Sequence, residues 1–347
     1  MLARNLALSL GEPDGASVAI GVPVRNEAVR LPRLLGALAA QRGNPRFTLC
    51  LFFDNCDDGS SALVERMAAD LPFPVIGECC HAGGPPNAGA ARRRAMTLAS
   101  AACRDGILLT TDADSEPAPD WVAANVAALT HGDVVAGRIV RPDARTRDML
   151  DRIGTYLDRL HEVRRMIDPV PWEADRTHHW TSGASLAFSA EVYRALDGFR
   201  PLANGEDAAV ADAAARAGYR IRRDADVVVR TSSRRIGRAD RGFATALAAF
   251  DQAIGLPEVA HPDDEAWRFR MQAAARAAYA AGEVRSLGIA LGLPIAEVEQ
   301  VAAECVNDEA FAARIVGAPP GGLRTVSLAH AEALLAGFEQ FDLVGAA

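Results

Sequence analysis

From Val18 to Val140 the chain repeats one arrangement: a short apolar run, a polar stop, then a stretch with helical spacing. Val18-Ala-Ile-Gly-Val22, Phe47 to Phe53, a weaker Val75-Ile76, Ile107 to Thr111 and Val134 to Val140 read as strands. Between them, Leu31 to Gln41 with Pro32 in its first turn, Ser60 to about Leu71, a stretch reaching about Ala102, and Trp121 to Leu129 read as helices. Strands that alternate with helices cannot pair as hairpins, so they build a mostly parallel sheet flanked by helices, an α/β fold.

After Thr146 the pattern changes. Met149, Leu150, Ile153, Tyr156, Leu157, Leu160, Val163 and Ile167 recur at three and four residues, giving an amphipathic helix whose stripe is read as core, with a membrane-facing role as the alternative. Further on come Thr181-Ser-Gly-Ala-Ser-Leu-Ala187, a short helix near Val192 to Leu196, a helix opened by Asn204-Gly-Glu-Asp207, and a late strand at Val227 to Thr231. Beyond Gly242 the chain is alanine-rich, with breaks at Pro257, Pro262, Pro294 and Pro319-Pro320. The expected organisation is an α/β unit over 1–242, with one half at 17–140 and the other at 141–242, followed by a helical region over 243–347.

In an open parallel sheet, ligands bind beyond the carboxyl ends of the strands. Pro23 to Glu27, Asp54 and Asp112-Ala-Asp114 each follow a strand, so topology alone brings them to one rim. Alternation along an extended chain aims Asp112 and Asp114 the same way. At about 5 Å, two such charges repel by roughly 3 kcal/mol at an effective dielectric near 20. A hard divalent cation, Mg²⁺ or Mn²⁺, relieves that repulsion and would in turn hold a diphosphate; a solvated turn with helix-capping aspartates is the plainer reading.

Gly89-Ala-Ala-Arg-Arg-Arg94 opens a helix, where free N–H groups and the helix dipole favour phosphate and Arg92 adds a fork of donors; otherwise the three arginines face solvent. Glu206-Asp207 behind Gly205 starts another helix, whose N-terminus favours a charged carboxylate able to serve as a general base or simply as a cap. His178-His179-Trp180 precedes the Gly183-Ala184 segment and offers an aromatic ring and hydrogen-bonding groups. Adjacent histidines point apart in an extended chain, which disfavours a two-histidine metal clip.

Composition removes several function classes. All 37 basic residues are arginine, so Schiff-base and Walker-type lysine chemistry is excluded. The net charge of -8 argues against nucleic acid as a partner. The six cysteines form no CxxC pair and read as reduced packing residues. No apolar run approaches the ~18 residues of a membrane span, and Met1 to Leu10 carries no convincing cleavage site, so the expected location is cytoplasmic.

With these residues assembled, residues 17 to 235 resemble the glycosyltransferase family 2 proteins of GT-A fold. The resemblance rests on Val22-Pro-Val-Arg-Asn-Glu27, Asp54 with Asp57-Asp-Gly-Ser60, Gly89-Ala-Ala-Arg92, Thr111-Asp-Ala-Asp114, Ser182-Gly-Ala-Ser-Leu-Ala187 before Gly198-Phe199, and Gly205-Glu-Asp207, in that order. It implies a metal-dependent inverting transfer of sugar from a nucleotide-diphosphate donor to an acceptor hydroxyl. Pro23, Asn26 or Glu27 and Asp54 would hold the nucleoside, Asp112 and Asp114 the metal and diphosphate, and Asp207 would be the base with Glu206 beside it. Gly183-Ala184 would face the acceptor and donor sugar. Many relatives supply a histidine to the metal 20 to 40 residues after the base, but none occurs between Asp207 and His261. Arg230, Arg234, Arg235 or Arg238 is expected to balance diphosphate charge instead, Arg234 foremost, or else to face solvent.

A retaining enzyme of the glycerate- or phosphoglycerate-glycosylating kind, and a nucleotide-sugar-binding protein or scaffold without turnover, are the rival readings. A sugar-1-phosphate nucleotidyltransferase is set aside, because its Gly-rich loop and lysine are missing. The acceptor class stays undefined. Contact with a membrane surface and pairing of subunits through the helical region are both left open.

Overall fold

The computed structural model describes residues 17–141, 147–232 and 257–345. Its centre is an eight-stranded sheet in the order β3-β2-β1-β4-β7-β6-β8-β5. The strands are β1 (Val18–Val24), β2 (Thr48–Asp54), β3 (Val75–Cys80), β4 (Ile107–Thr110), β5 (Ser115–Pro117), β6 (Val134–Val140), β7 (Leu186–Ser189) and β8 (Ile221–Thr231). β1, β2, β3 and β4 pair in parallel, as does β6 with β8, while β7 runs antiparallel between β4 and β6 and β5 antiparallel along β8.

Residue size along β1 explains how the two faces are covered. Val18, Ile20, Val22 and Val24 point into one core with Leu31, Leu34, Leu35 and Leu38 of α1 (Leu31–Ala39) and Val64 of α2 (Ser60–Ala68). Ala19 lies in the core on the other face, with Met96 and Ala99 of α3 (Ala88–Ala102), Val192 of α6 (Ala190–Ala195) and Val210 of α7 (Glu206–Arg216). Small residues on this side let α3 lie close. A Cβ on Gly21 would stand 2.7 Å from the sulfur of Met96. Trp121, at the start of α4 (Trp121–Ala128), is fully buried and its indole N–H donates to Ser185 Oγ at 2.9 Å.

Two strands depart from the sequence reading. Leu186–Ser189 forms β7 although it is only four residues long, because β4 and β6 present free ladder edges on both sides of it. Ser115–Pro117, which reads as a turn before Pro117 and Pro119, pairs with Thr231 to Val229 at the sheet edge, where a proline is tolerated. β8 also begins at Ile221, earlier than its apolar run.

The stripe of α5 (Arg147–Ile167) is core. Tyr156, Leu160 and Val163 pack with Phe269, Leu328 and Leu335 of the C-terminal helices Pro262–Ala281 and Leu328–Gly345. Arg276 joins the same junction by pairing with Asp168 and, at 2.7 Å, with Glu309. All six cysteines are free thiols, and burial pushes Cys50 up to about 12. No helix of the described residues is long and apolar enough to cross a membrane.

Candidate active site

Parallel pairing carries the ends of β1, β2, β4 and β6 to one edge of the sheet, and antiparallel β7 begins there. The loop after β1 is stitched to the loop after β2. Asn26, at a positive φ of 54°, accepts the N–H of Asp57 on its Oδ1 at 2.9 Å. Glu27 is buried and its N–H donates to Ser60 Oγ at 3.0 Å, while Ala28 N–H donates to Asp58 at 2.8 Å. Burial works against charge on Asp58, but the hydroxyl of Ser60 and backbone N–H donors outweigh it and hold the carboxyl below its ordinary range. Half-buried Pro23 lies within β1.

Asp54, the last residue of β2, accepts Arg25 Nη1 at 2.7 Å and Asn55 Nδ2 at 2.7 Å. Arg25 lies inside the Pro-Val-Arg-Asn-Glu stretch. Its link to Asp54 is not visible in sequence, because it depends on the register Val24↔Phe53 that sets the two strand ends side by side.

Arg92 departs from expectation. Its helix start is not an open phosphate cradle: Asn87 caps Ala90 N–H at 2.8 Å and Gly89 N–H donates to Leu202 O at 2.9 Å. The 200–202 backbone covers the turn, and a Cβ on Gly89 would lie 2.2 Å from Arg200 O. That close approach, rather than phosphate, accounts for a glycine here. Arg92 points inward and is buried. Its Nε donates to Glu206 at 3.0 Å, Nη1 to Thr110 Oγ1 at 3.0 Å and to Gly183 O at 2.8 Å, and Nη2 to Asp112 Oδ1 at 2.7 Å. Desolvation weakens the charge on this guanidinium, but Asp112 and Glu206 outweigh it and hold its pKa above the ordinary arginine value. Arg93 and Arg94 do face outward, toward Asp197 and Glu78.

The same guanidinium dictates the residue opposite. A Cβ on Gly183 would lie 2.4 Å from Arg92 Cζ, so any other residue here has to push the guanidinium out of its bonds. Gly183 N–H in turn donates to Asp207 Oδ2 at 3.0 Å, and Ala208 N–H to Oδ1 at 2.8 Å. Asp207 is half-buried in the first turn of α7, which Gly205 opens with a left-handed φ of 75°. Glu206 is buried and spent on Arg92. Ala184 is buried beside Gly183.

Asp112 and Asp114 are both half-buried, whereas Thr111, Ala113 and Ser115 around them are buried. Ser115 N–H closes the turn on Asp112 O at 3.0 Å, and Ser115 Oγ reaches Thr231 Oγ1 at 3.1 Å, so the end of β8 stands beside this turn. Arg230 is exposed on β8 opposite Glu116. Arg234, Arg235 and Arg238 lie outside the described residues.

The two histidines separate as their spacing requires. Buried His178 bridges Ala136 O at 3.1 Å and Trp180 N–H at 3.0 Å, and burial together with Arg223 drives it down to about 3. His179 Nδ1 pairs with Asp158 at 2.7 Å. Trp180 stacks under Arg141 at 5.1 Å, a pairing not visible in the sequence.

The arrangement can hold charge at two points a single arginine apart: an acidic turn at Asp112 and Asp114, and a carboxylate at Asp207 whose nearest fixed partners are backbone N–H groups. That is a layout for binding an anion through a cation on one side and taking a proton on the other.

Residues 19–183 match the model of a family described as Glycosyl transferase family 2. No curated protein matches the chain. Among solved structures, residues 1–349 of TarS from S. aureus in complex with UDP-GlcNAc are 16% identical, with a TM-score of 0.48, 84% of this chain and 72% of that one being covered. A mannosyltransferase from Pyrobaculum calidifontis, in complex with GDP-Man and Mn2+, is 22% identical with a TM-score of 0.46, and 89% of each chain is covered.

Proposed function

We propose that this glycosyltransferase of GT-A fold, whose residues 19–183 match the glycosyl transferase family 2 model, moves a sugar from a nucleotide-diphosphate donor to an acceptor hydroxyl with inversion. The observation that carries this reading is the Arg92 hub. One buried guanidinium binds Asp112 on the donor side, Gly183 O in the middle and Glu206 on the acceptor side, and Gly183 N–H binds Asp207. Donor-side and acceptor-side groups are thereby held as one rigid unit.

In the reaction, the acceptor oxygen attacks the anomeric carbon as the bond from that carbon to the diphosphate oxygen breaks. Asp207 takes the hydroxyl proton. Gly183 N–H aims its carboxylate, and Glu206 acts only through Arg92. Asp54, with Arg25 as its fixed partner, reads the base edge, while Pro23, Asn26 and Glu27 shape the nucleoside seat. Ala184 bounds the sugar, and Arg234 balances diphosphate charge.

A divalent ion fits this donor chemistry. Among the described residues no three His, Cys, Asp or Glu side chains form a self-sufficient cage. Mg²⁺ or Mn²⁺ bound together with a substrate diphosphate needs only one or two carboxylates. Asp114 and the Oδ2 of Asp112, left outside the Arg92 bond, are hard oxygen ligands of that kind. When bound, the ion neutralises charge on the departing diphosphate.

The test is a thermal-shift screen of UDP- and GDP-sugars with and without Mn²⁺, followed by proton NMR of the product anomer. Stabilisation by one nucleotide sugar that needs the metal, and a product of opposite anomeric configuration, are expected. No stabilisation by any donor sinks the donor site, and a retained anomer sinks Asp207 as base.

A further inference from the structure

Away from the strand ends, α3 and α6 border an open pocket of about 480 Å³ on the face of the sheet that α3 covers. It is lined by three guanidinium groups, Arg93, Arg104 and Arg194, and by one carboxylate, Asp197. Arg93 is anchored: it donates to Asp197 Oδ1 at 2.9 Å and to the carbonyl oxygens of Asp197 and Phe199 at 2.6 and 3.1 Å. The other two are not. Arg194 comes only within 3.8 Å of Asp105, both side chains being largely exposed, and Arg104 has no carboxylate partner among the described residues.

The wall of the cavity adds a buried donor. Tyr193 is 5% exposed; its phenol oxygen accepts the N–H of Phe199 at 3.3 Å, and its own proton has no acceptor among the described residues. Burial pushes this phenol up to about 12, so the proton stays in place across the physiological range. With no protein acceptor among the described residues, that proton is available to a ligand oxygen that enters the pocket in place of water.

We propose that this cavity is an anion-binding site for a small phosphomonoester, separate from the donor site at the sheet rim. A phosphate group brings close to two negative charges and three acceptor oxygens, which match the Arg104 and Arg194 forks and the Tyr193 hydroxyl. The volume lies within the range of small-molecule sites and exceeds what a bare phosphate fills, leaving room for an organic part against Ala101 and the tyrosine ring. Arg93 ties the site to the turn at Asp197 and Gly198, from which the chain continues over Gly89 toward Asp207.

This inference does not rest on the proposed transferase mechanism, and its test is independent of activity. Calorimetric titration of the full chain with glycerol 3-phosphate, against sodium chloride of equal ionic strength, is expected to show saturable binding. The double variant Arg104→Ala/Arg194→Ala, altered only at exposed residues, should weaken it by about tenfold or more, and Tyr193→Phe by a smaller factor. Asp207→Asn and Asp114→Asn should leave it unchanged. Absence of binding, equal binding by the double variant, or loss of binding in Asp114→Asn would each overturn the proposal.

Discussion

Arg92 and Glu206 lie 114 positions apart in the chain, yet Nε of one donates to the carboxylate of the other at 3.0 Å, both side chains about 6% exposed. Neither makes sense alone in such a place. A buried carboxylate needs a counter-charge, and a buried guanidinium needs acceptors for its donors. Together with Asp112 they form a triad whose formal charge is one negative, open to solvent only on the Asp112 side, where that side chain is 34% exposed.

Replacing Arg92 by alanine leaves Asp112 and Glu206 without their partner, and breaking a buried pair costs about 3–5 kcal/mol. Chemical denaturation should register that loss. Arg92→Lys, which keeps the charge but cannot reach four acceptors at once, is expected to recover part of the stability and little of the transfer activity. Wild-type stability in the alanine variant would show that the hub is not structural.

Gly183→Ala is expected to reproduce the Arg92 phenotype, because its methyl group would occupy the space of the guanidinium carbon 2.4 Å away. The measurement is a thermal melt beside a turnover assay. A variant with unchanged melting and full turnover contradicts the contact.

Asp207→Asn keeps an oxygen for the Gly183 N–H but can no longer take a proton. A fall of about 10²–10⁴ in kcat, with donor affinity and melting temperature near wild type, is expected. Glu206→Gln should behave differently, lowering stability through the weakened Arg92 pair. Equal effects of the two substitutions would remove the distinction between base and positioning residue.

Asp54→Asn and Arg25→Ala should raise the KM for the donor with little change in kcat, since their pair lies at the end of β2 and is assigned to uniform binding of the nucleoside. A change confined to kcat would move Asp54 out of that role.

Stability should fall on acidification from neutrality. Burial, reinforced by neighbouring arginines, depresses both His161 and His178 to about 3, whereas the unfolded chain binds those protons near the ordinary histidine value of 6.5. Below that value the unfolded state holds more protons than the native state, so each histidine removes up to about 1.4 kcal/mol per pH unit until the folded value is reached. Urea midpoints at successive pH values between 7 and 5 test this. His178→Gln should flatten the dependence, and an unaltered slope would show that the native state accommodates a charged ring.

Much of the sheet was legible because its cause is local. The short apolar run of β1, proline at the start of α1 and apolar runs ending before Asp54 and Asp112 are patterns of neighbours, and each produced the expected element. β5 and β7 were not legible, since strands of three and four residues exist only where a longer partner offers its ladder. Arg92 was legible as a singular position but not in its direction. Periodicity says which residues share a helix face, not what will stand opposite that face.

The chain alone determined the succession of strands and helices and gathered Asp54, Asp112 and Asp114 toward one rim, because strand direction follows from connection length and carboxylates end the apolar runs. Only the tertiary structure decided that Arg92 faces Glu206 and Gly183 rather than a phosphate, and that Arg25 meets Asp54. Those choices turn on burial and register across more than 25 residues of intervening chain, where a charge goes wherever its desolvation is best compensated.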